Sequence, residues 1–454
     1  MEVFGSSGTR GVANEELTPE FVLRVGKATG TAWGVDRVAI ARDTRYTGRM
    51  LADAATSGLA STGTDVDRLG ILPTPGAQFH AERAGVPVVV ITASHNPPQY
   101  NGIKLVGTDG VELAVSDLET IEETLLSERF AVAPWDETGR VREITGTTDQ
   151  YVDELLAAAE RETIAGADLT VALDPGHGAG ALTSPRFFRE LGCRVVTVNG
   201  QADGRFPGRD PEPVPENLGD LGELVRASDA DVGIAHDGDA DRAIFFDEDG
   251  EYVPGDATLA ALAAAELEAG DTVVSAVNVS QRLVDVVTDL GAELELTPIG
   301  STNIITRIRE LEASGARVPI AGEGNGGIFF PAFRLARDGA FTAARFLELV
   351  AERSVSEIVS PFDGYANVRH NLEYESTAER DAMLDAAANH AQSADAELNT
   401  RDGYRLDYGD AWVLARPSGT EPLVRVYAEA RDAGRAQELA DELYETLADA
   451  KANA

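Results

Sequence analysis

Hydrophobic and polar positions alternate along the chain in two rhythms. Short runs of β-branched and aliphatic residues, at 38–41, 87–92, 169–173, 194–198, 232–235 and 272–276, read as strands. Longer stretches with apolar residues at helical spacing, at 20–32, 49–61, 116–127, 185–191, 257–268 and 279–290, read as amphipathic helices. This alternation predicts α/β layers built on largely parallel or mixed sheets. From about residue 361 the rhythm changes to strand (364–368), helix (378–393), three strands (405–408, 411–416, 423–430) and helix (435–448). That tail predicts a separate α+β unit, with residues 450–454 expected to fray. No residue-level repeat or low-complexity tract is present.

Length and composition narrow the class. A chain of 454 residues is too long for one core, and three or four domains fit. No apolar stretch approaches the roughly 20 residues of a membrane span. The N-terminal residues have neither a basic nor an apolar segment of the export type. Cys193 is the only cysteine, so an intrachain disulfide is excluded and a cytoplasmic location is expected. The net charge of −39 makes nucleic acid and anionic membranes poor partners. Lysine occurs only at Lys27, Lys104 and Lys451, and arginine supplies the other basic residues. Acid excess with arginine for lysine predicts a halophile's protein. At about 1 M salt the Debye length is only about 3 Å, which screens the self-repulsion.

The most informative segment is Thr92-Ala93-Ser94-His95-Asn96-Pro97-Pro98-Gln99-Tyr100-Asn101-Gly102-Ile103-Lys104. A buried strand ends there in a polar loop, where scaffolded chemistry usually sits. Lys104 is read as lying on the same loop. Its retention in a lysine-poor chain points to a need for a compact ammonium that can exchange a proton, so Lys104 is a candidate general acid/base or charge stabiliser. Ser94 has no Gly-x-Ser-x-Gly surroundings. His95 is its neighbour in sequence, and adjacent residues rarely point the same way, so no Ser–His dyad is expected.

Three other clusters sit at predicted strand ends. In His236-Asp237-Gly238-Asp239-Ala240-Asp241-Arg242, alternate carboxylates can converge on one hard cation. A solvated acidic loop is the bland alternative. A calcium loop is rejected, because its required glycine position holds Arg242. Arg416-Pro417-Ser418-Gly419-Thr420-Glu421-Pro422, followed by Arg425, offers hydroxyls, backbone N–H groups and forked donors for a phosphate on a hairpin turn. Gly322-Glu323-Gly324-Asn325-Gly326-Gly327 lets backbone approach a ligand closely, and Ser6-Ser7-Gly8-Thr9-Arg10-Gly11 has the composition of an anion-holding loop.

Together, and in this order, the motifs resemble the α-D-phosphohexomutase family of phosphoglucomutases, phosphomannomutases and phosphoglucosamine mutases. Residues 92–97 match its phosphoserine loop, 237–242 its metal loop, 322–327 its sugar loop and 416–422 its phosphate loop. The resemblance implies three related α/β/α domains with mixed sheets, at 1–150, 151–253 and 254–361. A C-terminal α+β domain with an antiparallel sheet follows at 362–454, and the four surround a central cleft. It implies that Ser94 carries the phosphoryl group, primed by a sugar bisphosphate. Ser94, Asp237, Asp239 and Asp241 would bind one Mg²⁺, with Arg10 and Lys104 beside the transferring group. Arg242, Glu323 and Asn325 would bind substrate, and Arg416, Ser418, Gly419, Thr420 and Arg425 would hold its distal phosphate. The implied substrate is a hexose phosphate, most directly the glucosamine 6-phosphate/glucosamine 1-phosphate pair. Phosphomannomutase/phosphoglucomutase activity is the near alternative; a non-catalytic sugar-phosphate binder and a phosphatase are readings from other classes. Many relatives carry serine and histidine where Asn325 and Gly327 stand here, and this Gly-Glu-x-Asn-Gly-Gly form resembles an archaeal phosphoglucosamine mutase branch. Pro298-Ile299-Gly300-Ser301 departs from that branch's usual Val-Gly-Asp.

Overall fold

Val88–Ile91 is a four-residue run of β-branched side chains, buried on both faces, as a central strand covered by helices requires. The computed structural model describes residues 3–5, 8–418 and 422–454. It divides into two units: Met1–Thr258 with Asn325–Ile358, and Leu259–Gly324 with Val359–Ala454.

The first unit holds two mixed sheets. One has the strand order Thr9–Val12, Tyr100–Val106, Val88–Ile91, Arg37–Arg42, Asp65–Ile71 and Val141–Glu143. Its first two pairings are antiparallel and the rest parallel. The other runs Tyr252–Val253, Ile244–Phe246, Val232–Ala235, Thr170–Asp174 and Arg194–Thr197, again antiparallel on one side and parallel on the other. An antiparallel hairpin, Gly327–Phe330 with Arg334–Arg337, completes this unit. In the second unit Glu293–Thr297, Thr272–Ala276 and Ala321–Glu323 pair in parallel. A wholly antiparallel sheet follows, ordered Ala366–Glu373, Leu423–Ala430, Ala411–Pro417, Tyr404–Asp407 and Glu397–Asn399.

Helix boundaries follow local chemistry. Pro19–Trp33 starts at Thr18, whose hydroxyl accepts from the Phe21 N–H, and stops at Gly34 in the left-handed region. Thr377–Ser393 is capped the same way by Ser376. The final helix, Ala433–Ala452, runs past the point expected to fray. Leu447 is buried in its core and Lys451 reaches Glu379 at 3.9 Å, which ties the last turn down. Among the described residues no helix is long and apolar enough to cross a membrane.

The parallel strands Val88–Ile91 and Val232–Ala235 both end at loops carrying polar residues singled out above. Ligands in open α/β sheets gather at such carboxyl ends.

Candidate active site

Ser94 follows directly from the strand Val88–Ile91 and adopts φ 49°, a left-handed conformation costly for a serine. The loop is fixed from below by Arg45, which is almost fully buried. Its guanidinium donates to the carbonyl oxygens of Ser94 (2.8 Å), Asn96 (2.6 Å), Pro97 (2.7 Å) and Tyr100 (2.9 Å). Asp43 balances the charge at 3.0 Å and accepts from the Thr92 hydroxyl, which in turn accepts from the Ser94 N–H. Asp43 and Arg45 follow the strand Arg37–Arg42, so one strand's end anchors the loop of its parallel neighbour.

The aspartate loop is anchored similarly. Arg209 pairs with Asp174 at 2.8 Å and donates to the His236 carbonyl at 2.6 Å. Buried His236 bridges the Ser184 hydroxyl (3.0 Å) and the Arg242 carbonyl (2.8 Å). Burial lowers its pKa from 6.5 to about 4. The two loops meet backbone to backbone: a β-carbon on Gly238 would lie 2.6 Å from the Ser94 carbonyl oxygen. Glycine is therefore required at that approach.

At this contact the Ser94 hydroxyl donates to Asp237 Oδ2 at 2.6 Å. Asp237, Asp239 and Asp241 are fully buried and each offers an oxygen within 4.8 Å of the others. Thr74 donates to Asp239 Oδ2 at 2.6 Å, and Arg337 to Asp241 Oδ2 at 2.5 Å. The Oδ1 atoms of Asp239 and Asp241 are buried without a hydrogen-bond partner among the described residues. Buried orphan carboxylate oxygens in an all-oxygen cluster fit a hard divalent cation, so this triad could bind a metal. Burial, reinforced by Asp241 and Asp239, pushes the Asp237 carboxyl well above its usual range. Burial acts the same way on Asp241, but Arg337, Lys104 and Arg242 outweigh it and hold that carboxyl well below its usual range.

Lys104 lies within the strand Tyr100–Val106, opposite Val90, and not on the serine loop. The loop of residues 92–99 ends at Gln99, and the chain returns as an antiparallel strand that carries the ammonium to the aspartates. It lies 3.0 Å from Glu112, 3.5 Å from Asp241 and 4.0 Å from Asp239. Burial lowers its pKa, but Glu112 and the aspartates more than compensate and raise it. Arg10 reaches Asn96 at 2.8 Å. His95 does turn toward Ser94, with Nδ1 3.4 Å from the serine hydroxyl oxygen and 2.9 Å from an Arg242 nitrogen. The left-handed turn at Ser94 brings the adjacent side chains together, against expectation. Arg242 and burial hold the His95 pKa far below its usual value.

The remaining residues fall elsewhere in the two units. Asn325 belongs to the first unit, where its side-chain oxygen accepts from the Gly327 N–H at 3.0 Å. Gly327 leaves room for Arg337: a β-carbon there would lie 2.7 Å from Arg337 Cδ. In the second unit Glu323 ends the strand Ala321–Glu323. Arg416 and Arg425 lie directly opposite each other on antiparallel strands. Arg416 also pairs with Asp402 at 3.1 Å, and the Ser418 N–H is bonded to the Leu423 carbonyl. Two arginines side by side repel, which a bound anion relieves. Gly419 and Thr420 lie outside the described residues, as do Ser6 and Ser7. Sequence reasoning missed Arg45, Thr74, Glu112, Arg209 and Arg337. Only Arg45 and Arg337 carried a local signal, each standing in a charged cluster at the end of an apolar run.

Successive family descriptions match most of the chain. Residues 1–132, 149–250 and 254–365 match the phosphoglucomutase/phosphomannomutase alpha/beta/alpha domains I, II and III, and residues 371–446 match its C-terminal domain. The chain belongs to the phosphoglucomutase/phosphomannomutase family. It is thus a phosphohexomutase, an intramolecular phosphotransferase of the isomerase class. Its architecture is three α/β domains with mixed sheets and a C-terminal domain with an antiparallel sheet. A phosphoglucomutase/phosphomannomutase from Thermococcus kodakarensis is 41% identical over 96% of each chain. A phosphoglucosamine/phosphogalactosamine mutase from Sulfurisphaera tokodaii is 36% identical over 97% of this chain and 98% of its own. A crystal structure of a family protein from Burkholderia thailandensis superposes with a TM-score of 0.86 at 29% identity, covering 99% of this chain and 97% of that one.

Proposed function

We propose that the protein interconverts hexose 6-phosphate and hexose 1-phosphate in the cytoplasm, with glucosamine phosphate as the sugar and Ser94 as the phosphoryl relay. The observation that carries this reading is the 2.6 Å hydrogen bond from Ser94 to Asp237 at the tri-aspartate. It sets a serine hydroxyl against a carboxylate acceptor, inside a cluster of buried cations and anions.

In the forward direction the Ser94 Oγ–P bond breaks and a P–O bond forms to the free sugar hydroxyl, whose proton leaves. The product is a sugar bisphosphate. After it turns over, its other phosphoryl group returns to Ser94 Oγ and the isomer departs with a proton restored. A sugar bisphosphate also primes the unphosphorylated serine. Splitting the exchange into two transfers is covalent catalysis.

Asp237, Asp239 and Asp241, with phosphorylated Ser94, would hold one Mg²⁺, which supplies charge neutralisation of the phosphoryl group when bound. Lys104 and Arg10 stabilise developing charge on the transferring group. Lys104 is held as an ammonium by Glu112, which suits a charge stabiliser better than a proton shuttle. Arg242, Glu323 and Asn325 contact the sugar. Arg416, Ser418, Gly419, Thr420 and Arg425 hold the phosphate that is not being transferred.

The 41% identity to the Thermococcus kodakarensis enzyme favours phosphomannomutase/phosphoglucomutase activity as a second reading. The relative from Sulfurisphaera tokodaii, named for hexosamine phosphates, favours the first. A substrate panel separates them: glucosamine, mannose and glucose 1-phosphates, each with a catalytic amount of bisphosphate and Mg²⁺ in high-salt buffer. Fastest exchange with glucosamine phosphate supports the proposal, and fastest exchange with mannose or glucose phosphate supports the second reading. Release of inorganic phosphate without isomerisation overturns both.

A further inference from the structure

The carboxylates of Asp239 and Asp241 each have one oxygen hydrogen-bonded to a neighbour and one that is not, although Arg242 Nε stands 3.9 Å from the second oxygen of Asp241. Thr74 opens the helix Thr74–Ala84 and is almost fully buried. Its backbone N–H donates to the Asp239 carbonyl at 3.0 Å, and its hydroxyl to Asp239 Oδ2 at 2.6 Å. Arg337 donates to Asp241 Oδ2 at 2.5 Å, and Lys104 approaches that same oxygen at 3.5 Å. On both residues Oδ1 is buried without a hydrogen-bond partner among the described residues. Asp237 differs, with Oδ2 accepting from Ser94 at 2.6 Å and Oδ1 from the Arg242 N–H at 3.3 Å; phosphorylation of Ser94 would remove the hydroxyl donor and leave Oδ2 as the one oxygen it offers.

We propose that Thr74 and Arg337 are the metal-selectivity residues of this site, because they allow Asp239 and Asp241 only one coordinating oxygen each. The inference rests on the reading above that the triad holds the divalent cation. For a carboxylate to ligate through both oxygens, both must face the ion at nearly equal distance. Here that would turn Oδ2 toward the ion and away from its Thr74 or Arg337 donor, at the cost of a buried hydrogen bond. Ca²⁺ takes about 6–8 oxygens and commonly uses bidentate carboxylates, whereas Mg²⁺ takes about six in a tight octahedron and keeps several waters. Single oxygens from three aspartates would leave the rest of the ion's shell to water and phosphoryl oxygens. That set satisfies a small ion and underfills a large one.

Both residues act through the aspartates and are positioning residues. Gly327 belongs to the same device. Its missing side chain leaves the space in which Arg337 lies, since a β-carbon there would meet Arg337 Cδ at 2.7 Å.

The test is titration calorimetry on the purified full chain in high-salt buffer, with MgCl₂, MnCl₂ and CaCl₂ each added alone. Thr74→Val preserves shape and charge, and Thr74→Ser preserves the hydroxyl. Arg337→Gln removes the guanidinium and the charge. Loss of that charge strengthens every divalent ion, so the readout is the ratio of Ca²⁺ to Mg²⁺ affinity. The ratio is expected to rise about tenfold in Thr74→Val and in Arg337→Gln, the worth of one charge-assisted hydrogen bond. Thr74→Ser should leave it unchanged, a pattern that a purely structural threonine would not produce. If Thr74→Val fails to fold, Arg337→Gln carries the test. Metal binding with an unmoved ratio in the folded variants overturns the inference alone. Absence of Mg²⁺ and Mn²⁺ binding by the unaltered chain overturns the metal assignment beneath it.

Discussion

Ser94 and Asp237 are 143 positions apart in sequence, yet the serine hydroxyl donates to the aspartate at 2.6 Å. Two loops from two different sheets make this contact, and each is anchored by its own buried arginine–aspartate pair. The serine thus has a fixed place beside the tri-aspartate.

Replacing Ser94 by alanine removes the proposed phosphoryl acceptor and one hydrogen bond. Exchange activity is expected to fall more than about a thousandfold, the scale seen when a covalent nucleophile is lost. Unfolding free energy should change by only about 1–2 kcal/mol. Coupled-assay kinetics and denaturant unfolding check the two halves, and near-normal turnover in a folded Ser94→Ala protein contradicts the role.

Arg45→Met leaves Asp43 buried without its cation and four loop carbonyls without their donor. The expected loss of stability is about 3–5 kcal/mol, measured as a shift in the urea midpoint. The double variant Asp43→Ala/Arg45→Met should lose less than Arg45→Met alone, because no charge is stranded. Equal or greater loss in the double variant contradicts the account of this anchor.

The difference between what the sequence disclosed and what it concealed is one of range. Ser94 and the three aspartates stood out because each interrupts an apolar run locally. The strand–helix alternation was legible for the same reason. Lys104 was placed on the serine loop because its distance from Ser94 along the chain is short; pairing of Lys104 with Val90 shows that the chain had already turned back into a strand. Thr74 and Arg337 act on aspartates 165 and 96 positions away. Glu112 gained meaning only once Lys104 was placed. A local pattern cannot report contacts of that kind.

His236 makes stability depend on pH with a definite sign. Burial keeps it neutral in the fold, with a pKa of about 4 against 6.5 when unfolded. The unfolded chain therefore binds the proton first as pH falls. The fold keeps the full contribution above pH 6.5 and loses it progressively down to about pH 4, by up to about 3 kcal/mol. Unfolding free energies measured across this window without added metal should fall less steeply in His236→Gln than in the unaltered chain. Parallel slopes contradict the assignment.

A net charge of −39 destabilises a compact state by self-repulsion unless salt screens it. The thermal midpoint is expected to rise as KCl increases from about 0.1 M to above 1 M, where the Debye length shortens from about 10 Å to about 3 Å. Full folding and activity in salt-free buffer contradict adaptation to high salt.

Ser94 is proposed to carry the phosphoryl group between the two positions of the sugar. Intact-mass analysis with peptide mapping tests it most directly, before and after incubation with a hexose bisphosphate and then with excess hexose monophosphate. The expected result is one phosphoryl group per chain on Ser94, gained from the bisphosphate and lost to the monophosphate. A chain that turns over substrate with Ser94 unphosphorylated throughout, or with the group on Asp237, contradicts it.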